Sequence, residues 1–167
     1  EVSSHGIDLC RVGGMGFDIA VFLNLTQDHL DYHEDMDEYY EVKRRLFDGG
    51  IGSTPKRSII NIDDPYGRRL VADLGEDAAC ITFGVAGDAD YRAEDVEFSR
   101  TGVTFRLVTP KGEYKIKANL AGRFNLSNML AALAIAAESG CNVKKVASIL
   151  KKFPGVPGRL ERVDDGQ

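Results

Sequence analysis

Only three cysteines occur in the 167 residues, Cys10, Cys80 and Cys141, widely spaced and outside any CxxC or CxxxH pattern. That spacing argues against both a disulfide framework and a zinc ribbon, and a reducing compartment is the simpler setting. Long apolar runs are missing too: the longest, Met129 to Ala137, falls far short of the roughly 20 residues that span a bilayer. The opening Glu-Val-Ser-Ser-His-Gly has neither a basic n-region nor an apolar h-region, so no signal peptide is expected there. Positive charge is not in excess. With 21 Lys and Arg against 26 Asp and Glu, the net charge of -5 gives no reason to expect nucleic acid or an anionic membrane as partner, although local basic groups leave room for a small anionic ligand. Three motifs are also absent: the Gly-x-Ser-x-Gly elbow, the HxHxDH order of metallo-hydrolases and the G-x-x-x-x-G-K-[ST] phosphate loop.

What is present is ordinary for a soluble protein, at 43% hydrophobic and 28% charged residues, and the length suits one domain with a substantial core. Asp18 to Asn24 is a short, nearly continuous apolar run and reads as a buried parallel strand. A helix is expected from Asp35 to Asp48, stopped by Gly49-Gly50. Ser58 to Ile62 reads as a second buried strand, followed by a helix from Pro65 to about Leu74 and a third strand from Cys80 to Phe83. The pattern then changes to alternating segments, Tyr91 to Ser99, Val103 to Thr109 and Glu113 to Ala118, divided by short turn sequences as in antiparallel hairpins. Helical periodicity returns at Asn125 to Ser139 and at Val143 to Phe153. The fold class is therefore α/β: a mostly parallel sheet flanked by helices, with an added small antiparallel sheet.

Lys43 is out of place on its helix. At 100° per residue, Met36, Tyr40, Lys43 and Phe47 point within roughly 40° of one direction, so an amine stands on an apolar face. One reading is a lysine that snorkels outward or meets a carboxylate. The other is a neutral amine in a dry setting that takes up carbon dioxide, turning a cation into an oxygen donor suited to magnesium. Upstream lies Asp28-His29-Leu30-Asp31-Tyr32-His33, on the loop after the first strand, where ligands gather in open parallel sheets; capping of backbone amides is the equal alternative. Asn125 and Asn128 share a helical face and either present amides to a ligand or cap the helix. Asn61-Ile-Asp63-Asp64-Pro65 is a turn and helix start or part of a nucleotide site. Arg159, after the turn Pro154-Gly-Val-Pro-Gly158, either reaches a phosphate or is simply exposed. Ser3, Ser4 and His5 mimic a serine nucleophile with its base, but sequence neighbours seldom adopt triad geometry.

Taken in order, six segments resemble the central ATPase domain of the Mur ligases: Glu1-Val-Ser-Ser-His-Gly6, Asn24-Leu-Thr-Gln-Asp-His-Leu-Asp-Tyr-His33, Tyr40-Glu-Val-Lys43, Asn61-Ile-Asp-Asp64, Gly122-Arg-Phe-Asn-Leu-Ser-Asn128 and Pro157-Gly-Arg-Leu-Glu161. The likeness spans the chain and is strongest to the branch that adds the third amino acid to the peptidoglycan precursor. Folylpolyglutamate synthetase shares the scaffold and is less similar around His5 and Asp31-Tyr32-His33.

The resemblance implies an ATP-dependent carboxylate–amine ligase that works through an acyl phosphate, with ATP and Mg2+ as cofactors. It implies UDP-N-acetylmuramoyl-L-alanyl-D-glutamate as acceptor and meso-diaminopimelate or lysine as the added amino acid, in a monomeric enzyme of the bacterial cytoplasm. Lys43 then matches a carbamylated lysine, and His29, fourteen residues before it, a histidine that helps to hold magnesium. Glu1 matches a magnesium-binding carboxylate, Ser3 and Arg11 contacts to the UDP-muramoyl-dipeptide, Asn125 an adenine contact and Arg159 an ATP-side contact. Residues 1–162 correspond to the C-terminal portion of the central domain, and 163–167 to the start of a linker. The phosphate loop of the family is expected before Glu1 and its amino-acid-binding domain after Gln167, so the 167 residues alone are expected not to ligate. Two other functions compete: glutamate addition to folate, and a noncatalytic module that recognises a nucleotide-sugar.

Overall fold

A computed structural model describes residues 1–27 and 31–155, and the chain forms two compact units, Glu1–Arg92 and Ala93–Gln167. His29, Arg159 and the expected boundary near residue 162 lie outside the described residues.

The first unit opens with a short helix, α1 (Ser4–Asp8), which the sequence pattern does not announce. Strand β1 (Ile19–Phe22) follows, then α2 (Met36–Arg44), β2 (Arg57–Asn61), α3 (Pro65–Leu74) and β3 (Cys80–Gly84). β1 pairs in parallel with β2, and β2 with β3. Strand β2 has the run of β-branched residues expected of a central position, and Ser58, Ile59, Ile60 and Asn61 are all buried. On one side, Ala20 and Phe22 of β1 and Ile60 of β2 pack with Tyr39 and Tyr40 of α2, Leu70 of α3, Leu25 and Phe47. Each large side chain so buried contributes roughly 1.5–3 kcal/mol. A second, smaller cluster joins Ile7 of α1, Val42 of α2 and Ile51.

Helix α2 ends at Arg44, four residues before the expected Asp48. Its backbone tightens there, with Leu46 N–H on the Lys43 carbonyl and Phe47 N–H on that of Arg44, the three-residue spacing of a 3₁₀ turn. Its buried arc is also wider than expected, since Tyr39 and Tyr40 face one cluster and Val42 the other.

The second unit contains most of β4 (Tyr91–Ser99), β5 (Gly102–Thr109), β6 (Gly112–Ala118), α4 (Arg123–Glu138) and α5 (Val143–Leu150). β5 and β6 form an antiparallel hairpin from Val103↔Ala118 to Thr109↔Gly112, closed by Pro110 and Lys111. Alternation puts Val103, Phe105 and Leu107 inside. In α4, Leu126, Met129, Leu130, Leu133, Ala134 and Ala137 are buried at helical spacing, and α5 packs on α4 and β6 with no fully buried residue. α5 ends at Leu150 rather than at the expected Phe153.

The hydrogen-bonded strand order is β1-β2-β3-β4-β5-β6. Within the first unit, the start of β4 pairs in parallel with β3, at Phe83↔Tyr91 and Gly84↔Arg92.

Candidate functional site

The chain start and the end of α2 meet at Lys43. Ser3 caps α1, its Oγ accepting the Gly6 N–H at 3.0 Å, which sets the direction of the backbone before the helix. One residue earlier, the Val2 carbonyl accepts a hydrogen bond from Lys43 Nζ at 3.1 Å. Burial pushes the Lys43 ammonium below the ordinary lysine value, and the Glu1 carboxylate acts in the opposite sense. Lys43 therefore neither snorkels to solvent nor forms a close ion pair among the described residues. It is a half-buried amine, held by one carbonyl and influenced by one carboxylate. The serine-nucleophile reading fails on geometry, because Ser3 Oγ is occupied as a cap and Ser4 is fully buried.

A second junction lies at the other end of α1. Asp8 accepts the Tyr32 hydroxyl at 2.6 Å on Oδ2 and Arg45 Nη1 at 3.0 Å on Oδ1. The Tyr32 bond first, and then Arg45, hold the Asp8 carboxyl below the usual carboxylate range, while the same bond raises the Tyr32 phenol. The His5 ring lies 3.9 Å from that of Tyr32, and buried His33 stacks on Tyr39 at 4.8 Å and 11°. Arg11 is exposed and lowers the Tyr32 phenol slightly, which places its charge on this side of the unit. The sequence reading missed Asp8, Arg45 and the role of Tyr32. Their partners are 24 and 37 residues apart along the chain, a distance that no local pattern reports.

Beyond the carboxyl ends of the strands, Asn61, Asp63 and Asp64 turn out to serve the backbone. Asn61 Nδ2 donates to the Leu23 carbonyl at 2.7 Å, and its Oδ1 accepts Asp63 N–H at 3.0 Å. Asp63 accepts the Val85 and Ala86 amides at 2.7 and 2.8 Å, which holds the loop after β3. Asp64 caps α3 through the Tyr66 and Gly67 amides and reaches back to Leu25 N–H at 3.2 Å. This motif is a clamp on two strand-end loops. Gly67 belongs to it, since a Cβ there would collide with the Asn61 carbonyl oxygen.

In the second unit, Asn125 Nδ2 donates to the Ala121 carbonyl at 2.7 Å, while Asn128 is exposed. The Asn125 amide oxygen stays available as an acceptor. Among the described residues no three His, Cys, Asp or Glu side chains converge on a metal position. Glu1 and Lys43 are the described residues that could contribute oxygen donors at this end of α1. The donor chemistry fits a hard cation, because Glu1 is a carboxylate and a depressed amine is the form of lysine that acquires carboxylate oxygens.

Parallel strands alternating with helices define an open-sheet α/β domain. The chain belongs to the Mur ligase family: the profile of the Mur ligase middle domain matches residues 1–136. It is 46% identical over 173 residues to the UDP-N-acetylmuramoyl-L-alanyl-D-glutamate--2,6-diaminopimelate ligase of Streptomyces avermitilis, covering all of this chain and 33% of that protein. To the ligase of the same name from Synechococcus elongatus it is 44% identical over 163 residues, or 98% of this chain and 32% of the relative. A solved structure of such a ligase superimposes with a TM-score of 0.85 at 32% identity, over 99% of this chain and 34% of its own. The chain thus spans about a third of the length of the relatives it matches. Among the described residues no helix is long and apolar enough to cross a membrane.

Proposed function

We propose that this chain is the middle, ATP-handling domain of a ligase that joins 2,6-diaminopimelate to UDP-N-acetylmuramoyl-L-alanyl-D-glutamate, as a monomer in the bacterial cytoplasm. The observation that carries the reading is the half-buried Lys43 amine against the Glu1 end of α1, with its ammonium depressed by burial. The relatives' names supply the substrates.

The reaction phosphorylates the terminal carboxylate of the dipeptide from ATP. The amine of the incoming amino acid then attacks the acyl phosphate, the C–N bond forms, phosphate leaves with the electron pair of the broken C–O bond, and the nitrogen gives up its extra proton to solvent. Mg2+, when bound, neutralises charge on the phosphoryl oxygens. Glu1, His29 and Lys43 are the residues proposed to hold it. Lys43 does so as a carbamate: the neutral amine's lone pair forms the N–C bond to CO2, one C=O pair moves to oxygen, and the N–H proton leaves to solvent. Burial favours the neutral amine that this step needs. Ser3 retains its hydroxyl hydrogen as a donor and, with Arg11, faces the UDP-muramoyl-dipeptide. The unused Asn125 oxygen suits the exocyclic amine of adenine. Arg159 adds charge on the ATP side.

The test is product formation by a whole ligase bearing this middle domain, given ATP, UDP-muramoyl-dipeptide and either diaminopimelate or lysine, with folate and glutamate in a parallel reaction. Tripeptide product and ADP are expected with diaminopimelate, and neither is expected from Lys43→Ala. Turnover of folate alone would overturn the proposal.

A further inference from the structure

We infer that Asp8 is a positioning residue that fixes Glu1 and Lys43 relative to one another, an inference that rests on the metal-holding role proposed for that pair. Each oxygen of its carboxylate is used once, by Tyr32 and by Arg45. Three segments meet there: the end of α1, the chain after β1, and the residue that follows α2. A five-residue helix, about 7.5 Å long, does not hold itself in water, so α1 takes its orientation from whatever ties its ends. Ile7, next to Asp8, anchors it in the smaller apolar cluster, against which Val2 also packs. The leading end is tied where Lys43 Nζ meets the Val2 carbonyl, the trailing end where Asp8 meets Arg45 and Tyr32. Arg45 is two residues past Lys43, so the trailing tie acts on the turn of backbone that presents the amine.

Without Asp8, the end of α1 and the residue after α2 lose their shared tie, and the spacing of Glu1 from Lys43 loses that restraint. A displacement of about 1 Å in such a set costs up to about a hundredfold in rate. The tie itself adds little to stability, because the Asp8 and Arg45 side chains keep 37% and 32% of their surface exposed. Effects on the site and on folding should therefore separate.

The test uses a whole ligase bearing this domain, with Mn2+ as a spectroscopic probe of metal affinity alongside kcat and the thermal midpoint. Asp8→Ala should weaken Mn2+ binding and lower kcat, each by about tenfold or more, with the midpoint nearly unchanged. Tyr32→Phe, which removes one of the two ties, should move both in the same direction by less, and it serves if Asp8→Ala misfolds. The charge-exchanged pair Asp8→Arg with Arg45→Asp should recover most of the metal affinity. Lys56→Ala breaks a more exposed ion pair, with Asp18, and should change nothing. If Asp8→Ala and Tyr32→Phe leave Mn2+ affinity and kcat intact while Lys43→Ala abolishes both, the role of Asp8 is refuted and the Lys43 reading stands. If Lys43→Ala is silent as well, the underlying reading falls with it.

Discussion

Replacing Asn61 by alanine strikes the clamp that joins β2 to the loop after β1. Asn61 is only 6% exposed, and alanine removes both its donor to the Leu23 carbonyl and its acceptor for the Asp63 amide. Two hydrogen bonds at about 0.5–1.5 kcal/mol each, with a further penalty for a backbone group left without its partner, give a loss of about 2–4 kcal/mol. For a domain of this size, where 1 kcal/mol moves the midpoint by about 2–4 °C, the thermal midpoint should fall by about 5–15 °C. Hydrogen exchange reads the same junction locally: the Leu25 amide, which donates to Asp64, should exchange faster. Asn61→Asp keeps the acceptor but sets a carboxylate oxygen against the Leu23 carbonyl, and should cost at least as much. An Asn61→Ala protein within about 0.5 kcal/mol of the parent, with Leu25 exchange unchanged, would refute the clamp.

Gly67→Ala should destabilise by at least about 1–3 kcal/mol in denaturant unfolding, because its Cβ drives α3 off the Asn61 carbonyl. Lys43 gives a pH signature. Its folded-state value is depressed, so the unfolded chain binds the extra proton between that value and the ordinary lysine value of 10.5, and the strain of charging the buried amine is relieved as pH rises through this window. Without bicarbonate, the parent should therefore gain stability relative to Lys43→Met with rising pH in that range, and a constant difference would contradict the burial of the amine. Leu133→Ala, at a site with no exposure in α4, should cost about 2–5 kcal/mol by the same unfolding assay.

Most of the architecture was legible because it rests on short-range signals. The apolar run at Asp18 to Asn24, the Asp64-Pro65 helix start and the alternation of Val103 to Thr109 each report their own structure through side-chain period and capping chemistry. Helix α1 was not legible: five residues that include Gly6 carry too little propensity, and the helix exists because Ser3 caps it and Ile7 is buried. The early end of α2 was hidden too, since Arg45, Leu46 and Phe47 are good helix continuations whose packing favours a tighter turn. At the site, periodicity exposed Lys43 as anomalous but could not name its partners. Val2 lies 41 residues away, and Asp8 joins residues from three segments. The Asn61-Ile-Asp-Asp64 motif was visible, yet its choice between ligand and backbone depended on Leu23, Leu25, Val85 and Ala86, which are brought near only by the sheet.

The central claim is that Lys43 serves as a carbamate beside Glu1. The most direct measurement is 13C NMR of a whole ligase bearing this domain, equilibrated with 13C-bicarbonate, Mg2+ and ATP, for the parent and for Lys43→Arg. A slow-exchanging carbamate resonance present in the parent and absent from Lys43→Arg is the predicted result. A parent spectrum without that resonance, in an enzyme that is turning over, would contradict the account.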